Sequence, residues 1–237
     1  MTYNQISFMK TIGIIGGTSW YSTAEYYRLI NTEVQKRLGG LSSAKLLVWS
    51  FNFEEIVSLQ RQDKWDEVEK HIIHAGLRLE NAGAQFLLFG ANTMHRFTTN
   101  FCEKVKTPLI HIADVTAQAI QQAQMRKVIL IGTKPTMQLD FYKTKLSTHN
   151  IDCVVPGNND QEAIHSIIYD ELTAGKILPS SKAKLLRIIE SLKFTGATGV
   201  ILGCTELPLM IQSGDTSLHL FNTTEIHSLA AVDRILQ

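Results

Sequence analysis

Cysteine is scarce in this sequence, with three residues (Cys102, Cys153 and Cys204) in 237. So small and odd a set excludes a disulfide scaffold and implies reduced thiols, as in cytoplasm. No spacing among the three suits a metal, so no metal site is expected. Residues 1–10 lack the basic-then-apolar order of a signal peptide, and no apolar run is long enough to span a bilayer. Net charge is also nearly absent, at 23 Lys and Arg against 22 Asp and Glu. A chain without a dominant field is not expected to bind nucleic acid or a membrane surface through bulk charge. The turn Gly16-Gly17-Thr18-Ser19 is neither Gly-x-Gly-x-x-Gly nor followed by Gly-Lys-Ser/Thr. A nucleotide cofactor is therefore not expected there, and the turn reads as a wall where backbone approaches a ligand.

Hydrophobic residues reach 44% and charged ones 19%, enough for a packed core. Short apolar runs alternate with helix-length amphipathic stretches. The runs are 11–15, 44–50, 85–89, 108–110, 127–131, 151–155 and 199–202; the helical stretches are 21–37, 65–81, 113–123, 160–173, 181–192 and 224–235. Strands that alternate with helices, and are apolar throughout, predict parallel sheets covered on both faces. The opening of one half, 11–18, resembles 127–133, and both halves close on Gly-small-Thr. The expected fold class is α/β, with two similar parallel-sheet domains related by a pseudo-two-fold axis and an active-site cleft between them. The expected N-terminal domain is 1–113 plus 222–237, and the C-terminal domain 114–221.

The closing turns differ at one position. Phe86 to Thr93 ends in Gly-Ala-Asn-Thr, and Gly199 to Glu206 ends in Gly-Cys-Thr-Glu. Cys204 thus has Ala91 as its counterpart, so one acid/base group stands where symmetry predicts two. A thiol between a strand and a helix start is expected to have its pKa lowered by free backbone N–H groups. Asn92, Thr93 and Thr205 read as helix caps, as a cradle for a carboxylate, or as both. Gly17 and Thr18 line the expected ligand wall, and Thr133 and Lys134 lie at the matching turn of the second half. His95, four residues beyond Ala91, and His227 read as supporting residues behind the site. Cys102 and Cys153 are expected as small core residues.

These residues resemble the aspartate/glutamate/hydantoin racemase superfamily along nearly the whole chain. The resemblance runs through Gly13 to Trp20, Tyr26 to Asn31, Asn92-Thr93-Met94-His95, His111 to Asp114, Thr136 to Tyr142, Gly203-Cys204-Thr205-Glu206 and Phe221 to His227. The branch of L-aspartate/glutamate-specific racemases fits best. The resemblance implies an isomerase that racemizes a small amino-acid substrate without pyridoxal phosphate, metal or other cofactor, in a homodimer. It implies catalysis by two opposed acid/base residues, usually cysteines, with Cys204 as the second and Asn92, Thr93 and Thr205 holding the α-carboxylate. Position 91, usually Cys, is Ala here, Asn222 replaces a frequent Asp, and 52–55 lacks the arginine of archaeal-type aspartate racemases. Arylmalonate decarboxylase, of the same superfamily, also works with only the second thiol. A single-thiol decarboxylase and a non-catalytic amino-acid-binding homologue are therefore the alternatives.

Overall fold

The computed structural model describes residues 9–237. Two compact units divide the chain: one runs to His111 and is completed by His227–Gln237, and the other is Ile112–Ile226. Among the described residues, no helix is long and apolar enough to cross a membrane.

In chain order the first unit holds β1 (Ile12–Gly16), α1 (Trp20–Leu38), β2 (Leu46–Ser50), α2 (Phe53–Arg61), α3 (Trp65–Asn81) and β3 (Phe86–Phe89). A 3-10 helix, Asn92–Phe97, and α4 (Thr98–Lys104) follow. Its three strands are parallel in the order β2-β1-β3, with Ile12 opposite both Leu46 and Phe86. All of β1 is buried, as a central strand of a two-faced sheet requires. Ile15, Leu87 and Phe89 pack on Val68, Ile72, Ala75 and Leu79 of α3 and on Phe101 of α4.

The second unit contains α5 (Ile112–Gln122), β4 (Lys127–Gly132), α6 (Lys134–Gln138), α7 (Asp140–Thr148), β5 (Asp152–Val154) and α8 (Asn158–Ser166). After α9 (Pro179–Ser191) come β6 (Gly199–Gly203), α10 (Leu207–Met210), β7 (His219–Asn222) and α11 (Thr223–Ile235). The sheet is again parallel, in the order β5-β4-β6-β7. Gly132 lies opposite Gly203 in its register. A Cβ on Gly132 would come 2.8 Å from the Gly203 carbonyl oxygen, so these two backbones meet only because neither carries a side chain.

From His227 onward α11 belongs with the first unit. Ala231, Val232 and Ile235 are buried, and the Lys10 N–H donates to the Ile235 carbonyl at 3.1 Å. Asp233 pairs with Arg37 of α1. Asn222 caps the helix start through its Oδ1, which accepts from the N–H groups of Thr224 and Glu225.

Three sequence expectations change. Pro108–Ile110 is not a strand and makes a single parallel bridge, Leu87 to Leu109, because only this short segment reaches the edge of β3. Conversely β7 was not expected: His219 is exposed and only Phe221 fully buried, too short an apolar run to stand out. The helix expected over 160–173 begins at Asn158 and passes after Ser166 into a π-helical turn, Ile167–Glu171, and a 3-10 turn, Leu172–Ala174. With that widened turn, Ile164, Ile167, Ile168 and Leu172 all reach one core.

Candidate active site

Each unit carries a cluster of candidate residues at the carboxyl ends of its strands. In the first unit the three strand ends are laced together. The Phe51 N–H donates to the Gly16 carbonyl at 3.1 Å, and the Gly90 N–H to the Ile15 carbonyl at 2.8 Å. The Ser22 hydroxyl donates to the Gly90 carbonyl. Gly17, at φ +81, cannot be replaced by a residue with a side chain, since a Cβ would fall 2.1 Å from the Phe51 nitrogen. Its N–H donates to Thr23 Oγ1 at 2.8 Å, tying the turn to the first turn of α1. The Thr18 hydroxyl is buried and has no hydrogen-bond partner among the described residues. A buried, unsatisfied hydroxyl is costly unless something else satisfies it, which suits a ligand-facing position.

Ala91 follows β3 in extended geometry and precedes the 3-10 helix that presents Asn92 and Thr93. Its methyl group packs against the apolar cluster under the sheet. His95 is buried, with its ring 5.0 Å from that of Phe89, 4.4 Å from that of His111 and 5.7 Å from that of His227. His227 Nε2 lies 2.8 Å from the Ile110 carbonyl, which can only accept, so this nitrogen carries the proton. Its Nδ1 therefore accepts from the Tyr26 hydroxyl at 2.8 Å.

A neutral His227 is fully satisfied, and burial pushes its pKa down to about 4. An unfolded histidine takes its proton near pH 6.5, so this contribution to stability is intact above that value and lost as pH falls towards 4. The shift corresponds to about 3 kcal/mol. Urea titrations at pH 7 and 4.5 are expected to show this loss, with a smaller loss in His227→Gln. Equal losses in both proteins would assign the acid sensitivity to other groups.

In the second unit Cys204 stands directly after β6, partly exposed, its sulfur packed against the apolar cluster around Leu202 and Leu207. Its thiol donates to Glu206 Oε2 at 3.0 Å, and the Thr205 hydroxyl donates to the same oxygen at 2.6 Å. The expectation of a lowered thiol pKa is overturned. Burial raises it well above the usual cysteine value, and the Glu206 carboxylate adds to the rise through its charge and its hydrogen bond. Backbone N–H groups of Glu206 and Thr205 act in the expected direction but are outweighed. The following helix, Leu207–Met210, is a single turn, too short to supply a full dipole. Glu206 itself is buried, and its Oε1 has no partner among the described residues.

Nothing in the sequence reading assigns Glu206 a role. Its signal was a carboxylate two residues beyond a thiol on the same turn. Thr133 shares a hydrogen bond with Thr136 at 3.1 Å. Lys134 is the first residue of α6 rather than a loop residue, and its ammonium pairs with Glu162. The Lys134 N–H donates to His165 Nδ1 at 3.3 Å. Cys102 is exposed, so the expectation of a core thiol fails there: in α4 the buried residue is its neighbour Phe101. Cys153 is half-buried, and desolvation pushes its thiol up to about 12, which leaves it inert. No group of three or more His, Cys, Asp or Glu among the described residues could hold a metal ion.

This arrangement offers one thiol with a carboxylate to share its proton, and two strand-end turns furnished with hydroxyl and amide groups. Known proteins share its frame. The chain matches the Asp/Glu/hydantoin racemase family over residues 15–231. It is 41% identical to a Yersinia pestis protein provisionally assigned as an Asp/Glu racemase, with a TM-score of 0.90 over 97% of this chain and 100% of that one. An aspartate racemase homologue from Pyrococcus horikoshii OT3 is 37% identical, with a TM-score of 0.84 over 97% of this chain and 100% of the other. The broad-specificity amino-acid racemase RacX of Bacillus subtilis (strain 168) is 25% identical over 160 residues, 66% of this chain and 69% of its own length. The two-sheet α/β fold is thus that of known relatives, and the chain belongs to the Asp/Glu/hydantoin racemase family.

Proposed function

We propose that the protein is a cofactor-independent racemase of acidic amino acids that exchanges the α-proton through one thiol, Cys204. The observation that carries this reading is the Cys204–Glu206 hydrogen bond, set against a methyl group at position 91. Glu206 takes the thiol proton as substrate binds. The Cys204 thiolate then removes the α-proton, leaving a carbanion next to the carboxylate; the thiol proton exchanges with solvent, and a solvent-derived proton is returned to the same face. Asn92, Thr93 and the buried Thr18 hydroxyl supply hydrogen bonds for the α-carboxylate, whereas the Thr205 hydroxyl, expected in the same role, is committed to Glu206. A positioned acid/base group contributes roughly 10²–10⁴-fold, so a missing second group slows inversion by that order while exchange persists.

The direct test is incubation of each enantiomer of aspartate and glutamate in D2O. Deuterium wash-in read by NMR should outrun the change in optical rotation by at least roughly tenfold for the preferred enantiomer. Wash-in and inversion at matching rates would mean that a second acid/base group operates. A second reading, single-thiol decarboxylation, is favoured by the same Ala91: loss of carbon dioxide creates the carbanion and needs only one proton donor. Turnover of disubstituted malonates with no exchange of aspartate or glutamate would select it.

A further inference from the structure

The 3-10 helix that presents Asn92 and Thr93 brings side chains three residues apart onto one face. Asn92 and His95 share a buried face, and Met94 and Phe97 share another. Thr93 and Arg96 make up the remaining face, which is half-buried. The chain's other arginines (Arg28, Arg37, Arg61, Arg78, Arg126, Arg187 and Arg234) are all exposed, so Arg96 alone is withdrawn from solvent.

It is withdrawn without an ion pair. The guanidinium lies 4.0 Å from the centroid of the Trp65 ring and 5.4 Å from that of Phe97. Among the described residues no carboxylate comes within 4.0 Å of its nitrogens. Asp63 and Glu69 act on it only at longer range, and Glu69 accepts instead from Asn100 Nδ2 at 3.2 Å. Stacking uses the flat face of a guanidinium and leaves the N–H edge free, and that edge matches a carboxylate in bidentate geometry. A desolvated cation without a counter-ion is costly unless an anion joins it. Lys134, the other cation among the candidate residues, is engaged by Glu162.

We propose that Arg96 is a specificity-determining residue whose guanidinium edge binds the side-chain carboxylate of a dicarboxylic amino acid held at Asn92 and Thr93. The proposal rests on the racemase reading for its substrate class and adds the group that selects acidic over neutral side chains. Removing a bidentate charged contact should weaken binding of the dicarboxylate roughly 10²-fold and leave its neutral amide analogue almost untouched.

Isothermal titration of L-aspartate and L-asparagine into the wild type, Arg96→Met and Arg96→Lys tests this, with circular dichroism confirming the fold. In Arg96→Met, aspartate affinity should fall about 10²-fold and asparagine affinity less than about threefold. Arg96→Lys keeps the charge but loses the fork, and should lose roughly tenfold for aspartate alone. Should Arg96→Met not fold, an unchanged aspartate-to-asparagine ratio in Arg96→Lys overturns the proposal. Equal losses for both ligands, or no loss for either, also overturn it. Deuterium exchange in the wild type separates the two readings. Arg96-dependent aspartate binding without exchange removes the racemase reading and keeps Arg96. Exchange with a ratio indifferent to Arg96 does the reverse. A wild type that binds neither ligand removes both.

Discussion

Ala91→Cys is expected to raise the rate of aspartate or glutamate inversion by roughly 10²–10⁴-fold, the contribution of one positioned acid/base group. The reason is the parallel construction of the two strand ends. Gly90 directly follows β3 and Gly203 is the last residue of β6, and each is succeeded by the position in question. Ala91 is half-buried and in extended backbone geometry that cysteine adopts without backbone strain. Because Cys204 is unchanged, deuterium exchange should stay within a few-fold of the wild type while optical rotation decays much faster. Polarimetry and NMR on the same sample measure both. A folded variant with unchanged inversion would mean that position 91 does not address the second face of the substrate.

Cys204→Ser should reduce α-deuterium exchange by at least roughly 10³-fold, since a serine hydroxyl is a far weaker acid than a thiol and gives up its proton still less readily. The companion substitution, Glu206→Gln, probes the pair more finely. Removing the carboxylate takes away two of the causes that hold the Cys204 pKa high, its charge and its hydrogen bond, while burial remains. The thiol should therefore titrate at lower pH, seen as an acid shift in the pH dependence of its alkylation, followed by mass spectrometry to separate it from exposed Cys102. Exchange at neutral pH should still drop about 10²-fold, because glutamine cannot receive the thiol proton. It should then recover with rising pH along the alkylation curve. Unchanged alkylation and exchange would show that Glu206 only braces the turn through Thr205.

The sheets were legible because their strands are apolar from end to end. Ile12 to Ile15 and Gly199 to Leu202 have no competing period, and a parallel strand covered on both faces needs none. The Gly-Cys-Thr-Glu turn stood out as a candidate site because a thiol beside a glycine at a strand end is an uncommon combination. What the sequence hid depends on three-dimensional neighbours. The direction of the Cys204 pKa shift follows from how far the Glu206 carboxylate folds back, which its place two residues later does not fix. His219 to Asn222 escaped notice because an edge strand buries only part of itself. Nothing in the sequence singles out Arg96; the three-residue repeat of its helix and the ring of Trp65 place it.

The first unit is closed by residues from both ends of the chain, with the Lys10 amide bonded to Ile235 and Tyr26 bonded to His227. The second unit is one uninterrupted run, Ile112–Ile226. During synthesis on a ribosome, every residue of the second unit is therefore made before the first can receive the helical segment that buries Ala231, Val232 and Ile235. The lobe whose translation starts first is the one finished last, and the lobe that bears Cys204 has all its parts in hand before its neighbour does.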